Sequence, residues 1–113
     1  MARDKLFLIQ PGFSDPKHPD RTFVCPYCNQ VEGLLAAFPD LAARLDVERV
    51  PFARPRGKVI DALGERHQSL PVLVIGIDPP ADLPTAKGKV FADDTRRILA
   101  LLAERHGFPH LHE

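Results

Sequence analysis

The pattern of apolar and polar positions predicts that the chain opens with a strand and an amphipathic helix. Residues 5–10 form an apolar run ended by a proline and a glycine, which is typical of a short buried strand. After Cys28, apolar side chains recur at the spacing of one helical face, at Val31, Leu34, Leu35 and Phe38. Pro39 ends or kinks this helix, because proline lacks an N–H donor and clashes with the preceding turn.

The remaining pattern predicts a strand at residues 46–52, a helix at 58–66, a central strand at 70–77 and a short strand at 89–92. Asp93 or Asp94 caps a last helix over residues 95–106, which Gly107 ends. The first strand–helix–strand unit implies parallel strands, and the last two strands imply an antiparallel hairpin. We therefore predict an α/β fold, with a mixed four-stranded sheet and helices on both faces.

Residues 11–22 interrupt this order with three prolines, one glycine and several charges. Because neither helical nor strand periodicity is visible, we predict a proline-rich loop without regular structure. A loop of this length is typical of a functional segment or of a cover over a neighbouring site. The length of 113 residues, 44% of them hydrophobic, fits a single domain over residues 1–113 with this loop as an insertion.

The charges are balanced, with 15 Lys and Arg against 15 Asp and Glu. A neutral chain gives no electrostatic reason to expect nucleic acid or an anionic membrane as a partner. No apolar run approaches the roughly 20 residues of a membrane-spanning helix, and the first residues lack the features of a signal peptide. These observations predict a cytoplasmic protein and leave the oligomeric state open.

Cys25 and Cys28, the two cysteines of the chain, lie three positions apart. A disulfide that closes so small a loop restricts the unfolded chain very little, so a purely structural role is a poor explanation. Two interpretations remain, a redox dithiol and half of a metal site. Further metal ligands would have to be histidines, such as the C-terminal group of His106, His110 and His112, although a tail of this kind is usually solvated.

The cysteines stand where the proline-rich segment meets the first predicted helix, in the motif Cys25–Pro26–Tyr27–Cys28. Free N–H groups and the positive end of the helix dipole stabilise a thiolate at such a position. Pro26 fits the first helical turn, which needs no N–H donor there. We therefore expect Cys25 to be exposed and nucleophilic and Cys28, one turn further in, to be shielded.

This Cys-Pro-Tyr-Cys motif at a helix start resembles the glutaredoxins, members of the thioredoxin-like superfamily. The order of predicted elements is similar to their core, and the likeness runs from about residue 5 to residue 106. Leu70–Pro71 stands where the superfamily has its cis-proline, and Asp93–Asp94 where glutaredoxins have an acidic turn. As a whole, the chain looks most similar to a bacterial family of uncharacterised thioredoxin-like proteins.

The resemblance implies a thioredoxin-like fold and a glutaredoxin-type thiol–disulfide oxidoreductase that reduces protein or glutathione mixed disulfides. Cys25 would be the nucleophile and Cys28 the resolving thiol. Glutathione would be a co-substrate, and no metal or tightly bound cofactor is implied. The substrate-binding residues would be Tyr27, Leu70, Pro71, Asp93, Asp94 and Thr95.

Other interpretations stay open at this point. The protein could instead be a non-catalytic thioredoxin-like binding module in which the 11–22 loop covers the dithiol, and a third hypothesis is metal or iron–sulfur binding through the motif. Asp93 and Asp94 could serve only as helix caps. Arg54, Arg56 and Lys58 could bind a carboxylate or form an exposed basic turn.

Overall fold

The computed structural model describes residues 3–112, so the outer limits of the predicted domain, residues 1 and 113, lie outside the described residues. The elements follow in the order β1 (Lys5–Ile9), β2 (Phe13–Asp15), β3 (His18–Phe23), α1 (Pro26–Ala37), α2 (Pro39–Ala42), β4 (Asp46–Val50), α3 (Gly57–Leu63), β5 (Val72–Ile75), β6 (Thr85–Ala86), β7 (Lys89–Ala92) and α4 (Thr95–His106).

The main sheet has the strand order β4-β1-β5-β7-β6. β1 is parallel to β4, and the pairs β1/β5, β5/β7 and β6/β7 are antiparallel. This arrangement confirms the predicted α/β fold with a mixed sheet, but the described part of the sheet has five strands. The additional strand, β6, has two residues, too few for an alternating pattern, and it joins β7 through a tight turn. Lys87 and Gly88 both have positive φ there, as in the tight turns that favour hairpins.

The prediction of an irregular loop over residues 11–22 is wrong. The segment forms a β-hairpin in which β2 and β3 are antiparallel and Phe13 pairs with Phe23. Pro16 occupies the turn, where the Lys17 N–H donates to the Asp15 carboxylate at 3.0 Å. Prolines are tolerated because a two-stranded ribbon has no central strand that would need every N–H donor.

Helices cover both faces of the main sheet, as predicted. Glu48 and Arg49 are neighbours in β4, so their side chains point to opposite faces. Arg49 bonds to Glu32 of α1 at 2.7 Å, and Glu48 forms an ion pair with Lys58 of α3. Because α4 packs against α1, the helices α1 and α4 share one face while α3 covers the other.

The core fills the space between these layers. Its largest fully buried side chains come from β1, β5, β7 and the inner faces of α1, α3 and α4: Leu6, Leu8, Val31, Val59, Leu63, Val72, Leu73, Phe91, Ile98, Leu101 and Leu102. No helix within residues 3–112 has the length and apolar character needed to cross a membrane.

The predicted boundaries of the elements differ from the observed ones mainly at the ends. The predicted strands at 46–52 and 70–77 are shorter, at Asp46–Val50 and Val72–Ile75. The predicted 58–66 helix is α3, which ends at Gly64 with φ of 90°. The last helix matches its prediction, Thr95–His106, with Gly107 in the left-handed conformation at its end.

Candidate functional site

Four strand ends meet at one edge of the main sheet, which we call the dithiol edge. β1 and β4 are parallel, and their last residues, Ile9 and Val50, pair there. β5 runs in the opposite direction and begins at this edge with Val72. β7 is antiparallel to β5 and ends there, where Ala92 pairs with Leu73. The segments after β1, β4 and β7 and the segment before β5 are therefore neighbours.

Cys25 lies at this edge as the N-cap residue of α1. Its Sγ accepts the Cys28 backbone N–H at 3.3 Å, and its carbonyl accepts the Asn29 N–H at 2.8 Å. The Cys25 side chain is partly exposed, between Val24, 50% exposed, and Tyr27, 59% exposed. The predicted position of Cys25 at a helix start is confirmed, although its side chain is half-buried and not fully exposed. Tyr27 lies beside it in the first turn.

Cys28 lies one turn further along α1 and is only 1% exposed. Its Sγ accepts the backbone N–H of Ile9, the last residue of β1, at 3.4 Å. Burial raises the pKa of Cys28 to about 12, the Ile9 N–H opposes this rise, and Cys25 and Glu32 add to it. Both cysteines are free. The motif therefore presents one accessible thiol and one buried, protonated thiol.

Leu70 and Pro71 lie at the dithiol edge directly before β5. The Leu70–Pro71 peptide bond is cis, as the resemblance implied, and Pro71 is fully buried. β5 begins at Val72 and pairs with β1, whose last residue, Ile9, binds Cys28 through its N–H. Both predicted substrate-binding residues therefore lie at the same edge of the sheet as the buried thiol.

Asp93, Asp94 and Thr95 follow β7 at the same edge. Since β7 is two strands from β1, they lie about 10 Å from the end of β1 along the sheet. The Asp94 carboxylate accepts the Arg97 N–H at 3.0 Å and caps α4, while Asp93 is exposed. The capping interpretation is thus confirmed for Asp94.

The hypothesis of an exposed basic turn is wrong for Arg56, which is only 6% exposed. Its guanidinium donates to the Phe52 carbonyl at 2.7 and 3.1 Å and to the Gln68 carbonyl at 2.7 Å. These bonds engage all three guanidinium nitrogens, so Arg56 is not an open site for a carboxylate. Arg54 is exposed, and Lys58 is exposed but paired with Glu48.

Three features of the site were not predicted from the sequence: the Ile9 backbone donor, the Glu32 carboxylate near Cys28, and the buried Arg56. Glu32 carries a usable signal, because position i+4 from Cys28 lies on the same face of a helix. The other two depend on contacts between segments distant in the chain, and no local pattern indicates them.

The hairpin of β2 and β3 stands beside the dithiol. Phe13 stacks on Phe52, with ring centroids 4.2 Å apart and planes 4° from parallel. A cavity of about 710 Å³ lies between the hairpin and residues 49–53, and neither cysteine lines it. The hairpin therefore docks on the segment after β4.

The histidines at the C-terminal end do not form a common site. His106 Nε2 lies 2.7 Å from an Asp4 carboxylate oxygen, at the opposite edge of the sheet from the cysteines. Across residues 3–112 no group of three or more histidine, cysteine, aspartate or glutamate side chains has an arrangement that could hold a metal ion.

Comparison with known proteins bears on the family of this chain. No curated protein and no solved structure matches it. Residues 3–110 match the model of a family described as "Protein of unknown function (DUF3088)". The matched region includes the main sheet, the hairpin and both cysteines. Because the match covers nearly the whole sequence, the chain belongs to the DUF3088 family.

Proposed function

We propose that this protein is a thiol–disulfide oxidoreductase of the glutaredoxin type, which reduces protein or glutathione mixed disulfides. The observation that carries the proposal is the unequal environment of two thiols one helical turn apart. Cys25 is accessible and receives an N–H bond at the start of α1, whereas Cys28 is buried, with a pKa of about 12. A nucleophile and a protected second thiol are the two parts that a dithiol reductase needs.

We also infer that the α/β fold is of the thioredoxin-like type. Apart from the hairpin, the short α2 and β6, the elements follow the order that the resemblance implies: strand, helix, strand, helix, two antiparallel strands and helix. Supporting this inference, the motif stands at the start of the first helix and the cis-proline directly before β5.

The reaction would proceed in two exchanges. The Cys25 thiolate attacks one sulfur of a substrate disulfide, forms a mixed disulfide with it and releases the other sulfur as a thiolate that takes a proton from water. Cys28 then loses its proton and attacks Cys25 Sγ, which releases the second substrate thiol and leaves a Cys25–Cys28 disulfide. The two electrons gained by the substrate come from the two cysteines.

A small thiol must reduce the protein again, and glutathione is the candidate. Two glutathione molecules would supply two electrons and two protons and leave as glutathione disulfide. The carboxylates of Asp93 and Asp94 and the hydroxyl oxygen of Thr95 are the proposed contacts for its amino group. This cycle needs no resident cofactor and suits a cytoplasmic location, where glutathione keeps thiols reduced.

Serine variants of the two cysteines test the proposal, with a glutathionylated peptide as substrate. We expect Cys25→Ser to abolish peptide reduction, because the buried Cys28 cannot reach the substrate. We expect Cys28→Ser to form the mixed disulfide at Cys25 and, with a protein disulfide as substrate, to remain trapped in it. Mass spectrometry detects the trapped adduct, and circular dichroism checks that both variants fold.

Equal peptide reduction by the parent protein and the Cys25→Ser variant would contradict the enzymatic proposal. If the parent itself reduces neither substrate, the remaining hypotheses are the non-catalytic binding module and metal or iron–sulfur binding through the motif. The trapped adduct separates these outcomes, since it reports the attack by Cys25 independently of turnover.

A further inference from the structure

A buried cation lies at the dithiol edge. Arg56 connects two distant segments through its side chain, because its guanidinium binds the carbonyl of Phe52 and the carbonyl of Gln68. The Arg56 backbone N–H also donates to the Gln68 side chain at 2.9 Å. The guanidinium lies 5.9 Å from the centre of the Phe52 ring. These contacts fix the charge in one place, unlike that of a surface arginine.

The sheet topology brings this charge to the end of β1. Phe52 follows β4 by two residues, and Gln68 precedes β5 by four. β4 and β5 are the two neighbours of β1 in the sheet. A side chain that bridges them at the dithiol edge therefore passes the end of β1, where the Ile9 N–H holds Cys28 Sγ.

The electrostatic interactions agree with this placement. Burial and the nearby Arg54 lower the pKa of Arg56, whereas the thiolates of Cys28 and Cys25 raise it. The Arg56 cation therefore lies within electrostatic reach of both cysteines. The opposing charge is Glu32, one turn beyond Cys28 in α1, whose own partner is Arg49 at 2.7 Å. Burial reduces solvent screening of the interaction with Arg56.

We propose that Arg56 is a positioning residue that acts through its charge: it is a fixed internal cation that stabilises the dithiol in its thiolate form. In the two-step exchange the negative charge is on Cys25 before attack and develops on Cys28 before resolution. A cation held near both sulfurs favours both steps without touching the substrate. The inference concerns the same dithiol and rests on the proposed function for its biological meaning.

The test separates the charge of Arg56 from its hydrogen bonds. Arg56→Lys keeps the charge and loses the guanidinium fork, whereas Arg56→Gln loses both. The readout is the rate at which iodoacetamide alkylates Cys25 at pH 7, in which the thiolate displaces iodide. We expect Arg56→Gln to slow alkylation about tenfold and Arg56→Lys to stay within about threefold of the parent.

Arg54→Gln is the matched control, because it removes the same charge from an exposed position on the same segment. We expect it to change the rate by less than about twofold at 0.15 M salt, where surface charges are screened. Equal slowing by Arg56→Lys and Arg56→Gln would show a purely structural role and overturn the inference. An unchanged rate in Arg56→Gln would overturn it as well.

A measurement on the parent protein covers the case in which a neutral variant does not fold. The Arg56 Nε–H resonance should shift as the free dithiol titrates and should not shift in that pH range once Cys25 is alkylated. A resonance whose chemical shift does not change as the dithiol titrates contradicts the inference. Neither readout requires turnover, so a chain that fails as a reductase can still confirm the charge coupling, and the two failures are distinguishable.

Discussion

At the scale of single residues, burial makes two identical side chains chemically different. Cys25 is the N-cap of α1 and reaches solvent, whereas Cys28 faces the core and accepts an N–H from Ile9. One turn of helix is enough for this difference, because it moves a side chain from the open first turn onto the packed face. The pKa of about 12 for Cys28 means that its thiol stays protonated in neutral solution.

This difference predicts selective alkylation. At pH 8, a thiol with a pKa near 12 has about a thousandfold less thiolate than one at the ordinary value of 9.0. We expect iodoacetamide to modify Cys25 and to leave Cys28 intact in the native protein, and to modify both in urea. Peptide mapping by mass spectrometry measures the two sites separately. Similar rates at both sites in the native protein would contradict the burial of Cys28.

At the scale of elements, the sequence predicted what periodicity can reveal. The helices α1 and α4 were located because each carries an apolar face over three turns, and α4 has a capping aspartate and a terminal glycine. The hairpin was missed because its strands are short and mostly exposed, and because three prolines stand in and beside them, at positions 11, 16 and 19. Its docking on the main sheet involves Phe13 stacking on Phe52, a contact between residues 39 positions apart that no local pattern encodes.

The cap of α4 gives a prediction about one element. Asp94 accepts the Arg97 N–H, so Asp94→Ala leaves a donor of the first turn unsatisfied, and we expect unfolding to become easier by about 1 kcal/mol. Asp93→Ala is the matched control, because Asp93 is exposed and does not cap the helix; it should change stability by less than about 0.5 kcal/mol.

Urea unfolding measures the free energy of unfolding of both variants. The same two variants test the proposed glutathione contact. Removal of the Asp93 carboxylate should weaken glutathione binding in the reduction assay and should leave the free energy of unfolding unchanged. Equal stability of the Asp94→Ala variant and the parent would show that the cap contributes nothing. If neither variant alters the requirement for glutathione, the acidic pair does not bind glutathione and Asp94 serves only as the cap of α4.

At the scale of the whole molecule, the predicted site residues come together through strand order. Leu70, Pro71 and Asp93 were placed by their resemblance to a known pattern, and the sheet register brings them to the edge that holds Cys28. The contribution of Arg56 could not be predicted, because Arg54 and Arg56 flank the same proline and differ in the bonds that Arg56 makes to Phe52 and to the distant Gln68. Local sequence predicts elements and motifs, whereas the electrostatic environment of the two cysteines depends on contacts between residues distant in the chain.

The opposite edge of the sheet carries a buried charge cluster that joins both ends of the described chain. Asp4, 3% exposed, accepts bonds from Arg105 Nε at 2.7 Å and from the Gly76 N–H at 2.8 Å. His106 Nε2 is also 2.7 Å from this carboxylate. Arg105 further donates to the carbonyls of Ile77 and Asp78. The start of β1, the end of β5 and the end of α4 thus share one carboxylate.

This cluster predicts how stability depends on pH. Burial acts to raise the pKa of Asp4, but the bonds from Arg105, Gly76 and His106 outweigh it, and the pKa is lowered. The stabilisation is therefore fully present above the pKa of an unfolded aspartate, about 4, and is lost as pH falls through the lower folded value. We expect Asp4→Asn to reduce the free energy of unfolding by about 3 kcal/mol at pH 7, because it leaves the half-buried Arg105 guanidinium without its anion.

Urea unfolding at pH 7 and at pH 3 measures the effect. The difference in the free energy of unfolding between the parent and Asp4→Asn should be smaller at the lower pH. Asp46→Asn is the matched control at the same edge: Asp46 pairs with Lys5 at 3.3 Å, but its side chain is 54% exposed. Removing that pair should cost less than about 1 kcal/mol at either pH, since exposed ion pairs contribute little. A loss in Asp4→Asn that stays the same from pH 7 to pH 3 would mean that the missing acceptor oxygen, and not the missing charge, causes the loss.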